Sequence, residues 1–192
     1  MGRMTRSLVV VPRWGGNPAS DCYPWLTAKL REPSPPAFEP VRVLDMPRPE
    51  QPETGTWVPA LAQAADALPA ERTVLVGHSV GCQTVLRYLA AQPEGRRFAG
   101  VLLVAAWWTV DEPWPSLLPW QAPVPHLDRA RAAAGRVTVL LSDNDPFTRD
   151  FERNGQLWRE RLGAGVRIVP GAKHFNAEQE PAVLEAIRAF SG

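Results

Sequence analysis

Six short apolar runs recur along the chain, and no other feature restricts the fold as strongly. They occupy residues 8–11, 41–44, 73–76, 100–104, 137–141 and 166–169. Pro12 stops the first, and Asp45-Met46-Pro47 stops the second. They are β-branched and too short for helices, and they read as continuous rather than alternating apolar segments. That is the pattern of strands covered on both faces. Between them lie helical stretches. Residues 57–68 are rich in Ala and Leu, and 80–91 carry Val80, Val85, Leu86 and Leu89 at mixed three- and four-residue spacing. Residues 147–162 repeat Phe147, Phe151, Leu157, Trp158 and Leu162, and 182–190 carry Val183, Leu184, Ile187 and Phe190. Strands alternating with helices predict βαβ units joined by right-handed crossovers. The expected fold class is α/β, with a mainly parallel six-stranded sheet and helices on both faces.

At 192 residues the chain is expected to form a single domain over 1–192. A formal net charge of +1 gives no long-range field for nucleic acid or an acidic membrane surface. Cys22 and Cys82 are too few for a disulfide framework or a structural zinc site. The first apolar run is four residues long, against about 7–15 for a signal peptide. The later uncharged stretch 101–108 is far below the ~18 residues of a membrane span. Gly2 is followed by Arg6 where N-myristoylation needs Ser or Thr. A cytoplasmic protein without membrane or nucleic-acid partners is expected.

Residues 107–127 break the alternation, with four tryptophans and five prolines in 21 positions. Proline at that density removes backbone donors and fixes φ, so a lid-like excursion without regular structure is expected. Trp107, Trp108, Trp114 and Trp120 either line an apolar substrate pocket or cover a small core.

The third run leads into Gly77-His78-Ser79-Val80-Gly81 and then a helix. A bare G-x-S-x-G is a weak signal, but strand, motif, helix is the order a nucleophile elbow requires. The turn is so sharp that side chains two before and two after the serine would collide. The serine then stands at a helix N-terminus, where N–H groups and the dipole favour developing negative charge. The alternative is a Gly-rich turn without chemistry.

A serine hydroxyl needs a base, and such hydrolases run Ser, acid, His along the chain. Of three histidines, His78 adjoins the serine and is expected to support the turn, while His126 falls in the Trp/Pro excursion. His174 follows the last strand and precedes the last helix, the position a base needs. The acid belongs after the fifth strand, in Ser142-Asp143-Asn144-Asp145-Pro146. Asp145, held extended by Pro146, is the stronger candidate. Asp143 could bond its own backbone to turn the loop, and both could cap the next helix.

These residues, with Val11-Pro12-Arg13-Trp14-Gly15-Gly16-Asn17, Tyr23-Pro24-Trp25, Asp45-Met46-Pro47-Arg48-Pro49, Trp57, Asn144-Asp145-Pro146-Phe147 and His174-Phe175-Asn176, give the chain a clear likeness. It resembles the small serine hydrolases typified by retinoblastoma-binding protein 9 and the bacterial YdeN-like proteins, a compact α/β-hydrolase family. The resemblance covers nearly the whole chain. It implies a sheet lacking the first two strands of larger relatives and a catalytic triad of Ser79, Asp145 and His174. Two departures stand out: Arg13-Trp14 is bulkier than a Gly-rich first loop, and Lys173 precedes His174 where relatives often carry Gly.

On this reading the substrate is a small acyl compound, a carboxylic ester or else a thioester or small amide, cleaved through an acyl-serine intermediate that water hydrolyses without metal or organic cofactor. Oxyanion donors are expected at the backbone N–H of Val80 and of Trp14 or a close neighbour. Two other classes remain open: acyl transfer by the same triad, and a catalytically weak binding protein that keeps the elbow for stability.

Overall fold

A computed structural model describes residues 5–191, so residues 1–4 and 192 of the expected domain, Gly2 among them, lie outside the described part. Each apolar run forms a strand: β1 (Arg6–Val11), β2 (Phe38–Val43), β3 (Thr73–His78), β4 (Gly100–Val104), β5 (Arg136–Ser142) and β6 (Gly165–Val169). They form one sheet in the order β2-β1-β3-β4-β5-β6, and all five neighbouring pairs are parallel. Among the described residues, seven α-helices accompany them: α1 (Tyr23–Arg31), α2 (Thr54–Ala65), α3 (Val80–Ala90), α4 (Leu118–Gln121), α5 (Leu127–Ala133), α6 (Phe151–Leu162) and, after the last strand, α7 (Pro181–Arg188).

Successive strand residues point to opposite faces, and two cores follow from that alternation. Val9, Val11, Leu75, Val101, Leu103, Val139 and Leu141 meet α2, α3, α5 and α6. Leu8, Val10, Val74, Val76, Leu102, Val104 and Leu140 meet α1 and α7. From β1 to β2 the chain runs one way along the sheet, and from β3 to β6 it runs the other. With crossovers of one hand, helices from the two directions must take opposite faces, as α1 and α3 do. Strands β3 and β4 are buried throughout, whereas the edge strands β2 and β6 are partly exposed. The edges are where Arg42 and Arg167 interrupt the apolar runs, and Arg167 reaches Glu185 of α7 at 2.9 Å.

Two expectations need correcting, and one helix has no counterpart in the sequence pattern. The helix expected from Phe147 begins at Phe151, because the preceding residues form a loop around Asp145 and Asp150 caps the helix by accepting from Arg153 N–H at 3.0 Å. Helix α5 goes unannounced, since its buried side chains are only Ala130 and Ala133. The Trp/Pro excursion does contain one helical turn, α4, with Pro119 early in it, where the missing N–H costs nothing.

Candidate active site

The strand order reverses between β1 and β3, the position where ligands bind outside the carboxyl ends of a doubly wound sheet. A cavity of about 460 Å³ opens there, lined by Arg13, Trp14 and Gly15 after β1, Ser79 and Val80 after β3, and His174 after β6.

The elbow is dictated by contact distances. A Cβ on Gly77 would lie 2.7 Å from the Cys82 backbone, and one on Gly81 would lie 2.3 Å from the Val11 carbonyl. Both positions therefore need glycine. Between them Ser79 adopts φ 55°, ψ −117°, outside the regions open to most L-residues. Such a conformation costs on the order of 1–3 kcal/mol and survives only where its surroundings hold it. Here Ser79 N–H donates to Val104 O at 2.9 Å, and Ser79 O accepts from Cys82 N–H at 2.9 Å. The buried Cys82 thiol adds bonds to Gly77 O and Val104 O, and burial pushes its pKa well above the usual thiol range. Cys82 is thereby a packing group.

Asp145 and His174 meet across the β5 and β6 loops. Asp145 Oδ2 lies 2.8 Å from His174 Nδ1, and Asp145 Oδ1 accepts from Phe147 N–H at 3.0 Å. Asp145 is 3% exposed and His174 7%. With Nδ1 bonded to the carboxylate, Nε2 is the remaining ring nitrogen, on a residue that lines the same cavity as Ser79. Asp143 is exposed and turns no loop through its own backbone: its Oδ1 accepts from Gly171 N–H at 2.8 Å. Asn144 Oδ1 likewise takes Lys173 N–H at 2.7 Å. Two neighbours of Asp145 thus grip the segment that carries His174. That segment needs gripping, since Lys173 and Phe175 both have positive φ.

The first loop sorts its amides. Arg13 N–H donates to Tyr23 Oη at 3.1 Å, Gly15 N–H to Pro49 O at 2.8 Å, and Gly16 N–H to Arg13 O at 2.9 Å. Among the described residues, Trp14 N–H is left without an acceptor in the chain. Val80 N–H, at the first position of α3, has no partner within its helix. Both residues border the cavity.

The four tryptophans of the excursion divide. Trp107 and Trp114 line the cavity beside Ser79, whereas Trp108 and Trp120 line a second one of about 530 Å³. Their packing explains the split. Trp108 stacks on Trp158 at 4.6 Å with the Arg161 guanidinium 4.4 Å from its ring. Trp120 is buried against Trp57, and its indole N–H donates to Pro52 O at 3.0 Å. Two side chains of the underlying helices, Asn154 and Arg87, help fasten the excursion. Buried Asn154 accepts from the N–H groups of Trp108 and Thr109 at 2.7 and 3.1 Å. Arg87 donates to Trp120 O at 2.7 Å and Ala122 O at 3.1 Å.

Sequence reasoning named Trp114 for the pocket but missed Phe147 and the Trp14 ring, which complete an aromatic rim. Trp14 meets Trp114 edge-on at 5.2 Å, Trp114 meets Phe147 at 6.3 Å, and Phe147 meets the His174 ring at 4.8 Å. Trp114 is 36% and Phe147 41% exposed, so an open apolar lip surrounds the polar centre. Among the described residues, no three His, Cys, Asp or Glu side chains gather as a metal site, and no helix is long and apolar enough to cross a membrane.

A family model described as serine hydrolase matches residues 8–190. YdeN of Bacillus subtilis (strain 168) is 29% identical over 102 residues, a match spanning 53% of this chain and about half, 51%, of that relative. The crystal structure of the B. subtilis ydeN gene product superposes with a TM-score of 0.82, covering 97% of this chain and 98% of that one at 22% identity. A carboxylesterase structure from the thaumarchaeon Nitrososphaera gargenis gives a TM-score of 0.68 at 13% identity, covering 98% and 90% of the two chains.

Proposed function

The chain belongs to the serine hydrolase family, and from that premise we propose that it hydrolyses a carboxylic ester of a small acyl compound through an acyl-Ser79 intermediate. The observation that carries this reading is the buried 2.8 Å contact between Asp145 and His174 beside a cavity shared with Ser79 on its strained elbow.

The steps follow from those positions. Ser79 Oγ attacks the acyl carbon, and its proton passes to His174 Nε2. Asp145 keeps the hydrogen on Nδ1 and stabilises the imidazolium that forms. The tetrahedral oxyanion accepts hydrogen bonds from Val80 N–H and Trp14 N–H, each worth about 3–4 kcal/mol to the transition state. Collapse breaks the bond to the alcohol oxygen, which leaves with the proton from Nε2. Water then attacks the acyl-serine, gives its proton to the same nitrogen, and releases the acid and free Ser79. The aromatic lip formed by Trp14, Trp114 and Phe147 favours a substrate with an apolar body.

A fluorophosphonate probe tests this assignment. The wild type should label at Ser79, Ser79→Ala should not label, and His174→Ala should label much more slowly. Equal labelling of wild type and Ser79→Ala would overturn it. Product analysis with added alcohol then separates hydrolysis from acyl transfer: free acid as the main product supports hydrolysis, and a transesterified product supports transfer.

A further inference from the structure

The mechanism leaves the buried imidazole beside the nucleophile unused. His78 precedes Ser79 but turns to the opposite side of the elbow, where it is 3% exposed. Both its ring nitrogens are occupied: Nδ1 lies 2.8 Å from Tyr23 Oη, and Nε2 lies 2.8 Å from the backbone oxygen of His174. A carbonyl oxygen can only accept, so Nε2 carries the hydrogen. In a neutral ring Nδ1 then holds a lone pair, and the Tyr23 hydroxyl donates to it. The Tyr23 oxygen in turn accepts from Arg13 N–H at 3.1 Å. The result is one directed chain of bonds from the Arg13 amide through Tyr23 and His78 to the His174 carbonyl.

That chain touches three of the four segments that carry the chemistry, the loop after β1, the elbow and the loop after β6, while the fourth, after β5, supplies Asp145. Arg13 N–H is fixed toward Tyr23 and Gly15 N–H toward Pro49, which sets the peptide that presents Trp14 N–H between them. At the other end the His174 backbone is fixed by His78, and its ring by Asp145. We infer that Tyr23 and His78 are positioning residues, setting the separation between the Trp14 amide and the His174 imidazole across Ser79. The inference rests on the triad reading above. Burial keeps the His78 ring neutral, with its pKa pushed down to about 3, so the donor directions do not reverse at ordinary assay pH.

The test compares wild type, Tyr23→Phe, His78→Gln and His78→Leu for kcat and KM on an aryl ester, for thermal midpoint and for probe labelling. Tyr23→Phe removes one oxygen and leaves the ring packing, so it serves even if His78→Leu fails to fold. A misplacement on the ångström scale costs up to about 100-fold. Tyr23→Phe and His78→Leu should therefore lower kcat by about 10- to 100-fold with KM within about twofold. His78→Gln, which keeps an N–H donor near the Nε2 position, should recover most of the loss. Folded Tyr23→Phe with wild-type kcat would overturn the inference, as would His78→Gln no better than a folded His78→Leu. A wild type that fails to label at Ser79 would overturn the triad reading and this inference together. Normal labelling with unimpaired variants would overturn this one alone.

Discussion

Asp143 and Asp145 stand on one loop, and their carboxylates do different things. Asp145 is buried against His174 Nδ1, while exposed Asp143 holds the Gly171 amide. Replacing Asp145 by Asn removes the charge that favours the imidazolium and invites the wrong tautomer, so kcat should fall by roughly 10³–10⁴. Asn at 143 still offers an oxygen to Gly171, and that variant should lose less than about tenfold. Steady-state rates of the two variants check the difference, and equal losses would contradict it. The order of Ser79, Asp145 and His174 is legible in the sequence because each follows a strand. The part played by His78 is not, because its partners Tyr23 and His174 lie 55 and 96 positions away and carry no local motif. The choice of Trp14 among the amides of its loop likewise depends on acceptors at Tyr23 and Pro49, which only the folded chain brings near.

The same division holds among the elements. The six strands are legible because the sheet is covered on both faces, and β-branched runs survive even in β2 and β6, where an arginine enters each edge strand. Boundaries set by side-chain bonds are less legible. The start of α6 is decided by Asp150 capping and by the loop around Asp145, and nothing in the apolar spacing announces either. The excursion between β4 and β5 is the clearest case. Its composition predicts irregular structure, and most of it is irregular, but composition says nothing of which indoles face Ser79. That is settled by Asn154 and Arg87, which fasten Trp108 and Trp120 over α6 and α3 and leave Trp107 and Trp114 toward the cavity.

For the molecule as a whole, the reversal of strand order brings the loops after β1 and β3 together, with the segment that carries His174 beside them. The cost of building the site appears in the stability of the entire fold. Burial pushes the pKa of folded His78 down to about 3, from the ordinary value of 6.5. Below pH 6.5 the unfolded chain therefore gains a proton that the folded chain refuses. The contribution of neutral His78 is complete above pH 6.5 and is lost as pH falls toward 3, by about 1.4 kcal/mol per pH unit. Urea unfolding between pH 7 and 4 should show this slope in the wild type and a shallower one in His78→Gln. Parallel curves would contradict it.

The central claim is that Ser79 carries the acyl group during turnover. Its most direct measurement is intact-protein and peptide mass spectrometry after acid-quenching the enzyme during hydrolysis of a p-nitrophenyl ester. The account predicts one acyl mass added to the peptide containing Ser79, formed together with a burst of p-nitrophenolate and absent from Ser79→Ala. An adduct on another residue, or the same adduct on Ser79→Ala, would contradict it.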